Sequence, residues 1–370
     1  MKIGILGTRG VPNYHGGFEQ FAENFSVYLA KKNHEIYVYN SSLHPYQKEI
    51  FEGVSIIHCK DLESSMGTAG QFIYDLNCIL DARKRDFDVI LQLGYTSSSI
   101  WHKLMPKRSL LITNMDGLEW KRSKYSKKIQ IFLKFAEKLA VKSSDYLISD
   151  STGIQDYIRR KYNENSKYIP YGSTVVDHVN QDVLKNYDLK KYSYNMLIAR
   201  LEPENNIEVI LDGVENSENN NPFIVIGKYD TTPFGKYIFE KFGNSNKIRF
   251  LGGIYNQDHL NTIRYFSNLY FHGHTVGGTN PSLLEAMATR CLIVAHNNEF
   301  NKYILKSNGF YFENREDVSR QVNRLIKNEY NNLIENNKDS IRTDYSWEHV
   351  NNEYLDFFFE CYNKNRRFRS

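Results

Sequence analysis

The chain has 370 residues, of which 41% are hydrophobic and 24% charged, and its formal net charge is +4. This length favours two domains, each able to bury its own core, and the composition is that of a globular protein. No apolar run approaches the ~20 residues that span a bilayer, no signal-peptide pattern is present, and the four cysteines show no paired spacing, so we expect a cytosolic protein with reduced thiols.

Apolar runs typical of buried strands alternate with helical patterns in the first half of the chain. The runs are KIGILG, EIYVYN, VSIIHC, DVILQLG, LLITNM, DYLISD and KYIPYG, and helices are predicted at residues 17–30 and 71–83. Alternation of strands and helices predicts parallel pairing and a doubly wound sheet. The polar stretch at 172–191 then predicts a linker.

The alternation resumes in the second half with NMLIAR, a helix at 206–214, FIVIG, KIRFLG, LYFHGH and CLIVAH. We therefore predict an α/β protein with two Rossmann-like, doubly wound domains and a cleft between them. Ligands of such sheets bind at the carboxyl ends of the strands, where this chain places glycines and polar residues.

The segment 271–296 contains a strand, a glycine turn, a helix and a second strand. Gly277 and Gly278 allow a ligand to approach the backbone, and Pro281 suits the first helical turn, whose free N–H groups bind anions. Glu285 follows about one turn later and can accept hydrogen bonds from a sugar attached to that anion. This pattern predicts a diphosphate site.

Four motifs, GTRGVPNYHGGFE, TNMDGLEW, ARLEPENNIE and GHTVGGTNPSLLEAMA, resemble those of the retaining glycosyltransferases of family 4, which have the GT-B fold. More narrowly, they resemble bacterial rhamnosyltransferases of surface polysaccharide and capsule assembly. The resemblance implies an acceptor-side domain at 1–180, joined by the C-terminal helix at 347–370, and a donor-binding domain at 190–346.

The resemblance also implies a nucleotide-sugar site in which Arg200 pairs with the diphosphate, Glu285 holds the ribose, and Gly278, Thr279 and Asn280 present backbone. The full donor set is Gly16, Gly17, Arg200, Asn205, Gly277, Gly278, Thr279, Asn280, Ser282 and Glu285.

Two positions depart from the family pattern: Gly277 replaces the first glutamate of the E-x7-E signature, and Asn205 replaces a lysine. These departures fit a different sugar such as a 6-deoxyhexose, a contact supplied by another residue, or a degenerate donor site.

On the acceptor side, the resemblance implicates His15, Glu19 and Asp116, and Asp116, Arg200 and Glu285 are the expected catalytic residues. Glu19 could instead offset a helix dipole, and Asp116 could instead cap a helix. The family implies front-face attack, with the leaving diphosphate taking the proton of the acceptor. His272 and His274 lie near the donor motif and could be structural.

Cofactor chemistry is not expected. The N-terminal glycines do not form GxGxxG, and the second strand ends in Asn40 rather than the acidic residue that binds an NAD ribose. Asp86 and Asp88 form a DxD sequence, but it precedes a strand and predicts a turn, so no metal is assigned.

A basic segment from Lys121 to Lys142 has eight lysines and arginines, one acid and many apolar residues. Its helical spacing predicts an apolar and a cationic face. This fits a helix at an anionic membrane surface, or an ordinary core-packed helix with a solvated face. No nucleic-acid-binding motif accompanies it.

The sequence thus predicts a transferase that moves L-rhamnose from dTDP-rhamnose to a lipid-diphosphate-linked saccharide at the cytoplasmic membrane face. A family-4 transferase that uses a UDP-hexose or UDP-N-acetylhexosamine is one alternative. An inactive sugar-nucleotide-binding or scaffold subunit is another, and a sugar-nucleotide epimerase is a weaker one. The acceptor, the linkage and the oligomeric state stay open.

Overall fold

The computed structural model describes residues 1–14, 16–122 and 125–369, and the side chains of 366–369 are left aside. The chain forms two compact units. The first comprises Met1–Lys121, Tyr125–Tyr171 and Trp347–Ser370, and the second comprises Arg122–Lys124 and Gly172–Ser346. The polar stretch predicted as a linker lies in the second unit and includes a 3-10 helix at Gln181–Tyr187.

The first unit is an eight-stranded sheet with helices. Its elements in chain order are β1 (Lys2–Leu6), α1 (Gly17–Lys31), β2 (Glu35–Ser41), β3 (Ile50–Phe51), β4 (Val54–Cys59), α2 (Glu63–Met66), α3 (Thr68–Ala82), β5 (Val89–Leu93), β6 (Leu110–Asn114), α4 (Lys127–Ser143), β7 (Tyr146–Ser149), α5 (Thr152–Tyr162) and β8 (Lys167–Tyr168). The strand order is β3-β4-β2-β1-β5-β6-β7-β8. Every pair is parallel except β3 with β4.

The second unit is a six-stranded, fully parallel sheet. Its elements are β9 (Asn195–Ile198), α6 (Ile207–Glu215), β10 (Phe223–Ile226), α7 (Pro233–Phe242), β11 (Ile248–Gly252), α8 (Gln257–Tyr265), β12 (Tyr270–His272), α9 (Pro281–Ala288), β13 (Ile293–His296), α10 (Glu299–Leu305), β14 (Phe310–Phe312), α11 (Arg315–Arg324) and α12 (Asn331–Thr343). The strand order is β11-β10-β9-β12-β13-β14.

The last helix, α13 (Trp347–Arg369), belongs to the first unit and packs on α1. The ring of Tyr354 lies 4.7 Å from that of Phe21 and 5.2 Å from that of Phe25. All three side chains are buried, so the helix is part of the hydrophobic core of this unit. No helix in the described part of the chain is both long and apolar enough to cross a bilayer.

Candidate functional site

The strand order of the second sheet reverses between β9 and β12. From β9 the chain builds outward through β10 and β11, then returns to place β12 on the other side of β9. Ligands of open parallel sheets bind at the carboxyl ends of the strands at such a point. Arg200 follows β9 there, and the glycine turn follows β12, so this edge is the candidate site of the second unit.

The loops that follow β9 and β12 are fastened to each other. The Asn206 side chain donates to the carbonyl oxygen of Gly273 over 2.8 Å, and the Thr275 hydroxyl donates to that of Glu204 over 2.8 Å. A Cβ at Gly273 would lie 2.0 Å from the carbonyl oxygen of Asn205. Only glycine fits this close approach, which fixes both loops.

Asn205, which the family resemblance places in the donor site, is buried inside the turn after β9. Its side-chain amide donates to the carbonyl oxygen of Arg200 over 2.7 Å. The side chain of Arg200 is exposed. Asn205 therefore shapes the turn that carries the Arg200 guanidinium.

The N–H groups at the start of α9 differ from the expectation that they are free. Asn280 is the N-cap, and its side-chain oxygen accepts from the Ser282 N–H over 3.0 Å. Its carbonyl oxygen accepts from the Leu283 N–H over 3.0 Å. The Ser282 hydroxyl is 2.7 Å from that of Tyr270. This cap satisfies the first turn internally, so the helix offers an anion its dipole rather than open donors.

Gly277 has a backbone conformation that side chains rarely adopt, with φ of +133°. A Cβ built there would have no neighbouring heavy atom within 4 Å. A glutamate at this position would strain the backbone, although it would have room. Of the neighbouring residues in the donor set, Gly278 is partly exposed and Thr279 is buried.

Glu285 is paired with a residue that sequence reasoning missed. Its Oε2 accepts a hydrogen bond from Nη2 of Arg264, whose side chain is only 2% exposed, whereas that of Glu285 is 24% exposed. Burial lowers the pKa of Arg264 and the charge of Glu285 raises it, with a net rise above its usual value. The carboxylate thus sits at the border between the core and the candidate site.

Two histidine rings stack where β12 ends. The centroids of His272 and His274 are 4.4 Å apart and their planes differ by 15°. Burial lowers the pKa of His272 well below its usual range, and burial followed by the charge of Arg200 lowers the pKa of His274 to about 4. Both rings are therefore neutral at pH 7. The carbonyl oxygen of His274 accepts from the Asn298 side chain over 2.9 Å, which ties it to the turn after β13.

In the first unit, side-chain hydrogen bonds hold the loop between β1 and α1. Glu19 is buried and accepts from the Arg9 N–H over 2.8 Å and from the Thr8 hydroxyl over 3.3 Å. Asn40 accepts from the Val11 N–H over 3.0 Å. Glu19 and Asn40 therefore hold the loop.

Gly16 and Gly17 are the residue before α1 and its first residue. The Tyr171 hydroxyl donates to the carbonyl oxygen of Gly17 over 2.8 Å. His15, the other acceptor-side residue of this loop, lies outside the described residues.

Asp116 follows β6 with φ of +50°, and its N–H donates to the Asn114 side chain over 2.9 Å. The next helix is a 3-10 turn at Glu119–Lys121. Asp116 is therefore not at an N-cap position, and the capping interpretation is wrong. The residue is partly exposed at the carboxyl edge of its sheet.

Asp88 of the DxD sequence is structural. Its carboxylate accepts from the Lys2 N–H over 2.8 Å and from the Tyr362 hydroxyl over 3.0 Å, so it joins β1 to α13. Within the part of the chain that the structure describes, no group of three or more histidine, cysteine, aspartate or glutamate residues could hold a metal ion.

Helix α4 has its single acid inside and several apolar residues outside. Glu137 is buried and accepts hydrogen bonds from five donors: Trp120 Nε1 at 3.0 Å, the hydroxyls of Tyr157 at 2.7 Å, Tyr162 at 2.6 Å and Tyr95 at 3.5 Å, and Lys161 Nζ at 2.9 Å. This buried carboxylate adds nothing to the charge of the outer face.

We call the exposed side of this helix the α4 surface. It carries Ile129, Ile131 and Phe135, which are 44%, 69% and 54% exposed, together with the exposed Lys127, Lys128, Lys134, Lys138 and Lys142. The predicted separation into an apolar and a cationic face is therefore wrong in part, because these three apolar side chains lie outside the core among lysines.

Comparisons with known proteins agree with this geometry. Residues 182–340 match the family "Glycosyl transferases group 1", and residues 1–174 match a domain of unknown function, DUF1972. A search of curated proteins finds no match.

Three solved structures illustrate the fold. Sucrose-phosphate synthase from Thermosynechococcus elongatus has a TM-score of 0.77 at 13% identity, over 98% of this chain and 99% of that one. HepE from Anabaena in complex with UDP-glucose has a TM-score of 0.75 at 14% identity, over 97% and 99%. Trehalose-6-phosphate synthase OtsA has a TM-score of 0.72 at 12% identity, over 97% and 99%. The predicted GT-B fold is confirmed.

Proposed function

We propose that this chain, which has the GT-B fold and whose residues 182–340 match the family of group 1 glycosyl transferases, transfers L-rhamnose from dTDP-rhamnose, with retention, to a lipid-diphosphate-linked saccharide. The observation that carries this proposal is the edge where β9 and β12 meet. It combines the partly exposed carboxylate of Glu285, the exposed guanidinium of Arg200 and the open space at Gly277.

Each group at this edge has a role that matches a nucleotide sugar. A guanidinium such as that of Arg200 binds two diphosphate oxygens at once, and Glu285 accepts hydrogen bonds from the pentose. The backbone of Gly278, Thr279 and Asn280 runs beside the diphosphate. Stabilising the departing diphosphate lowers the barrier, because negative charge develops there as the sugar bond breaks.

The vacant side-chain position at Gly277 supports a 6-deoxyhexose. A carboxylate there would accept hydrogen bonds from sugar hydroxyls, and a rhamnosyl group offers one hydroxyl fewer than a hexose does. In rhamnose a methyl group stands where a hexose has a hydroxymethyl group, so this end of the sugar needs no hydrogen-bond acceptor, and Gly277 supplies none.

On the acceptor side we assign roles to His15, Glu19 and Asp116, whereas Gly16 and Gly17 stay in the proposed donor set. Asp116 lies two residues after the carboxyl end of β6 and is partly exposed there. It is our candidate for orienting the acceptor hydroxyl, while the departing diphosphate takes the proton.

A UDP-sugar donor is the second candidate. HepE, whose structure this chain resembles, was solved in complex with UDP-glucose. Its identity of 14% is too low to transfer the sugar to this protein.

A donor panel separates the candidates. The protein is incubated with a lipid-diphosphate-linked saccharide and with dTDP-rhamnose, UDP-glucose, UDP-galactose or UDP-N-acetylglucosamine, and released nucleotide is measured. We expect turnover of dTDP-rhamnose, and NMR of the product should show the anomeric configuration of the donor. Turnover of a UDP-sugar alone would replace rhamnose by that sugar.

Two variants test whether this edge performs the reaction. Glu285→Gln keeps an acceptor for Arg264, and Arg200→Met removes the exposed cation, so both should fold and lose most of their turnover. Arg315→Met is the matched control, because Arg315 is an exposed arginine on α11 of the same unit. Full activity in both site variants would place the reaction at a different site, and no turnover of any donor by the native protein would support an inactive binding subunit.

We also propose that the protein lies at the inner face of the cell membrane, with the α4 surface against anionic lipid. Lysines and exposed apolar side chains on one helix bind such a surface by charge attraction and by burial of the apolar groups among the headgroups. The burial of Glu137 supports this, because the helix presents no carboxylate to repel the lipid phosphates.

A further inference from the structure

We propose that Arg264 is a positioning residue: it holds one oxygen of Glu285 so that the other accepts hydrogen bonds from a pentose hydroxyl of the donor nucleotide. This inference rests on the proposed function, since it requires a nucleotide at the edge between β9 and β12. The ligand class is a nucleoside diphosphate, alone or with its sugar.

The backbone carbonyl group of Arg264 is held by two hydrogen bonds. It lies in the last turn of α8, and its carbonyl oxygen accepts from the Ser267 hydroxyl over 2.7 Å and from the Cys291 thiol over 3.3 Å. Cys291 lies three residues after the end of α9. The backbone of Arg264 is thus tied to the segment that follows the helix carrying Glu285.

The ion pair is costly as a purely structural device. Nε and Nη1 of Arg264 are buried and have no hydrogen-bond partner among the described residues. A buried charge with unused donors contributes little net stability, and an apolar side chain of similar size often serves a core as well. Keeping a guanidinium here makes sense if its partner must stay oriented.

Glu285 retains one oxygen for a ligand. Oε2 is bound by Arg264, whereas Oε1 makes no hydrogen bond to any described residue, and the side chain is 24% exposed. A carboxylate oxygen can accept from two donors. The ion pair at Oε2 restricts the rotation of the carboxylate and leaves Oε1 as an acceptor, and a preoriented acceptor binds a hydroxyl without first giving up rotational freedom.

The test compares nucleotides that differ only in their pentose hydroxyls. Binding of UDP, 2′,3′-dideoxy-UDP, dTDP and 3′-deoxy-dTDP is measured by calorimetry on the native protein, Glu285→Gln, Arg264→Lys and Arg264→Met. A hydrogen bond to a charged group predicts that the native protein binds UDP or dTDP roughly 10-fold or more tightly than the matching deoxy nucleotide. Glu285→Gln should bring this ratio close to one.

We expect Arg264→Met to bring the ratio close to one as well, and Arg264→Lys to restore part of it. Combining Arg264→Met with Glu285→Gln should cause no further loss in the ratio, because the two residues act as a unit. In turnover, the Arg264 variants should raise the donor KM and leave kcat largely unchanged, since the pentose is remote from the reacting bond.

Arg249→Lys is the matched control. Arg249 is a guanidinium of the same unit that donates to the carbonyl oxygens of Tyr187 and Asp188. Its variant should keep the native ratio. If Arg264→Met does not fold, Arg264→Lys, which retains the charge, gives the ratio instead.

The outcomes distinguish this inference from the proposed function. A merely structural Arg264 would weaken binding of both members of each nucleotide pair equally, and an unchanged ratio in Arg264→Lys and Arg264→Met would overturn the inference while leaving the donor site intact. No binding of any nucleotide by the native protein would overturn the proposed function and the inference together.

Discussion

The expected contribution of the α4 surface to membrane binding follows from the exposed fractions of its apolar side chains. Ile131 is 69% exposed and Phe135 is 54% exposed. Complete burial of such a side chain is worth about 1.5–3 kcal/mol, so moving the exposed parts out of water is worth roughly 1–2 kcal/mol for each. Changing both to glutamate removes this gain and adds repulsion from anionic lipid, so we expect vesicle affinity to fall at least about 100-fold.

The assay is sedimentation with vesicles of phosphatidylcholine, with or without phosphatidylglycerol. Leu43→Glu with Ile50→Glu is the matched control, because these two apolar residues of the first unit are 53% and 65% exposed. The native protein and this control should bind the anionic vesicles, more weakly as salt increases. Equal binding by both double variants, or no dependence on phosphatidylglycerol, would refute the membrane assignment.

Three further predictions concern stability. Burial raises the pKa of Asp75 to about 6, so the native state keeps a proton that the unfolded chain loses. The free energy of unfolding should therefore fall by up to about 3 kcal/mol as pH rises from about 4 to about 6. Urea titrations of Asp75→Asn should show a flatter dependence of stability on pH, and parallel dependences in the native protein and the variant would contradict this. Glu137→Leu leaves Lys161 and four other donors without their shared acceptor and should cost about 3 kcal/mol in urea unfolding, whereas a loss below about 1 kcal/mol would argue against the network. Gly273→Ala puts a methyl group 2.0 Å from a carbonyl oxygen and should lower the Tm and donor turnover, and an unchanged Tm would show that the two loops can separate.

Apolar runs predicted the sheets well because buried parallel strands are nearly continuous apolar segments. The run DVILQLG becomes β5, all of whose residues are buried. β3 and β14 were not predicted, because two and three residues are too short for a pattern to develop. The 3-10 helix at Gln181–Tyr187 was hidden in polar sequence that reads as a linker.

The position of the candidate site was predictable, but its contacts were not. A strand, glycines and a proline-started helix mark the edge around Gly277 in any sequence of this kind. Arg264 lies 21 positions before Glu285, on another helix, and such a pairing leaves no local signal. Helical spacing likewise cannot tell that Glu137 is inside and Ile131 outside, because that depends on what packs against the helix.

A crystal structure with bound dTDP or UDP is the most direct test of the proposed nucleotide site. We expect the diphosphate beside Arg200 and the first turn of α9, with a pentose hydroxyl within hydrogen-bond distance of Oε1 of Glu285. A nucleotide bound elsewhere on the chain, or at this edge with its pentose turned away from Glu285, would contradict it.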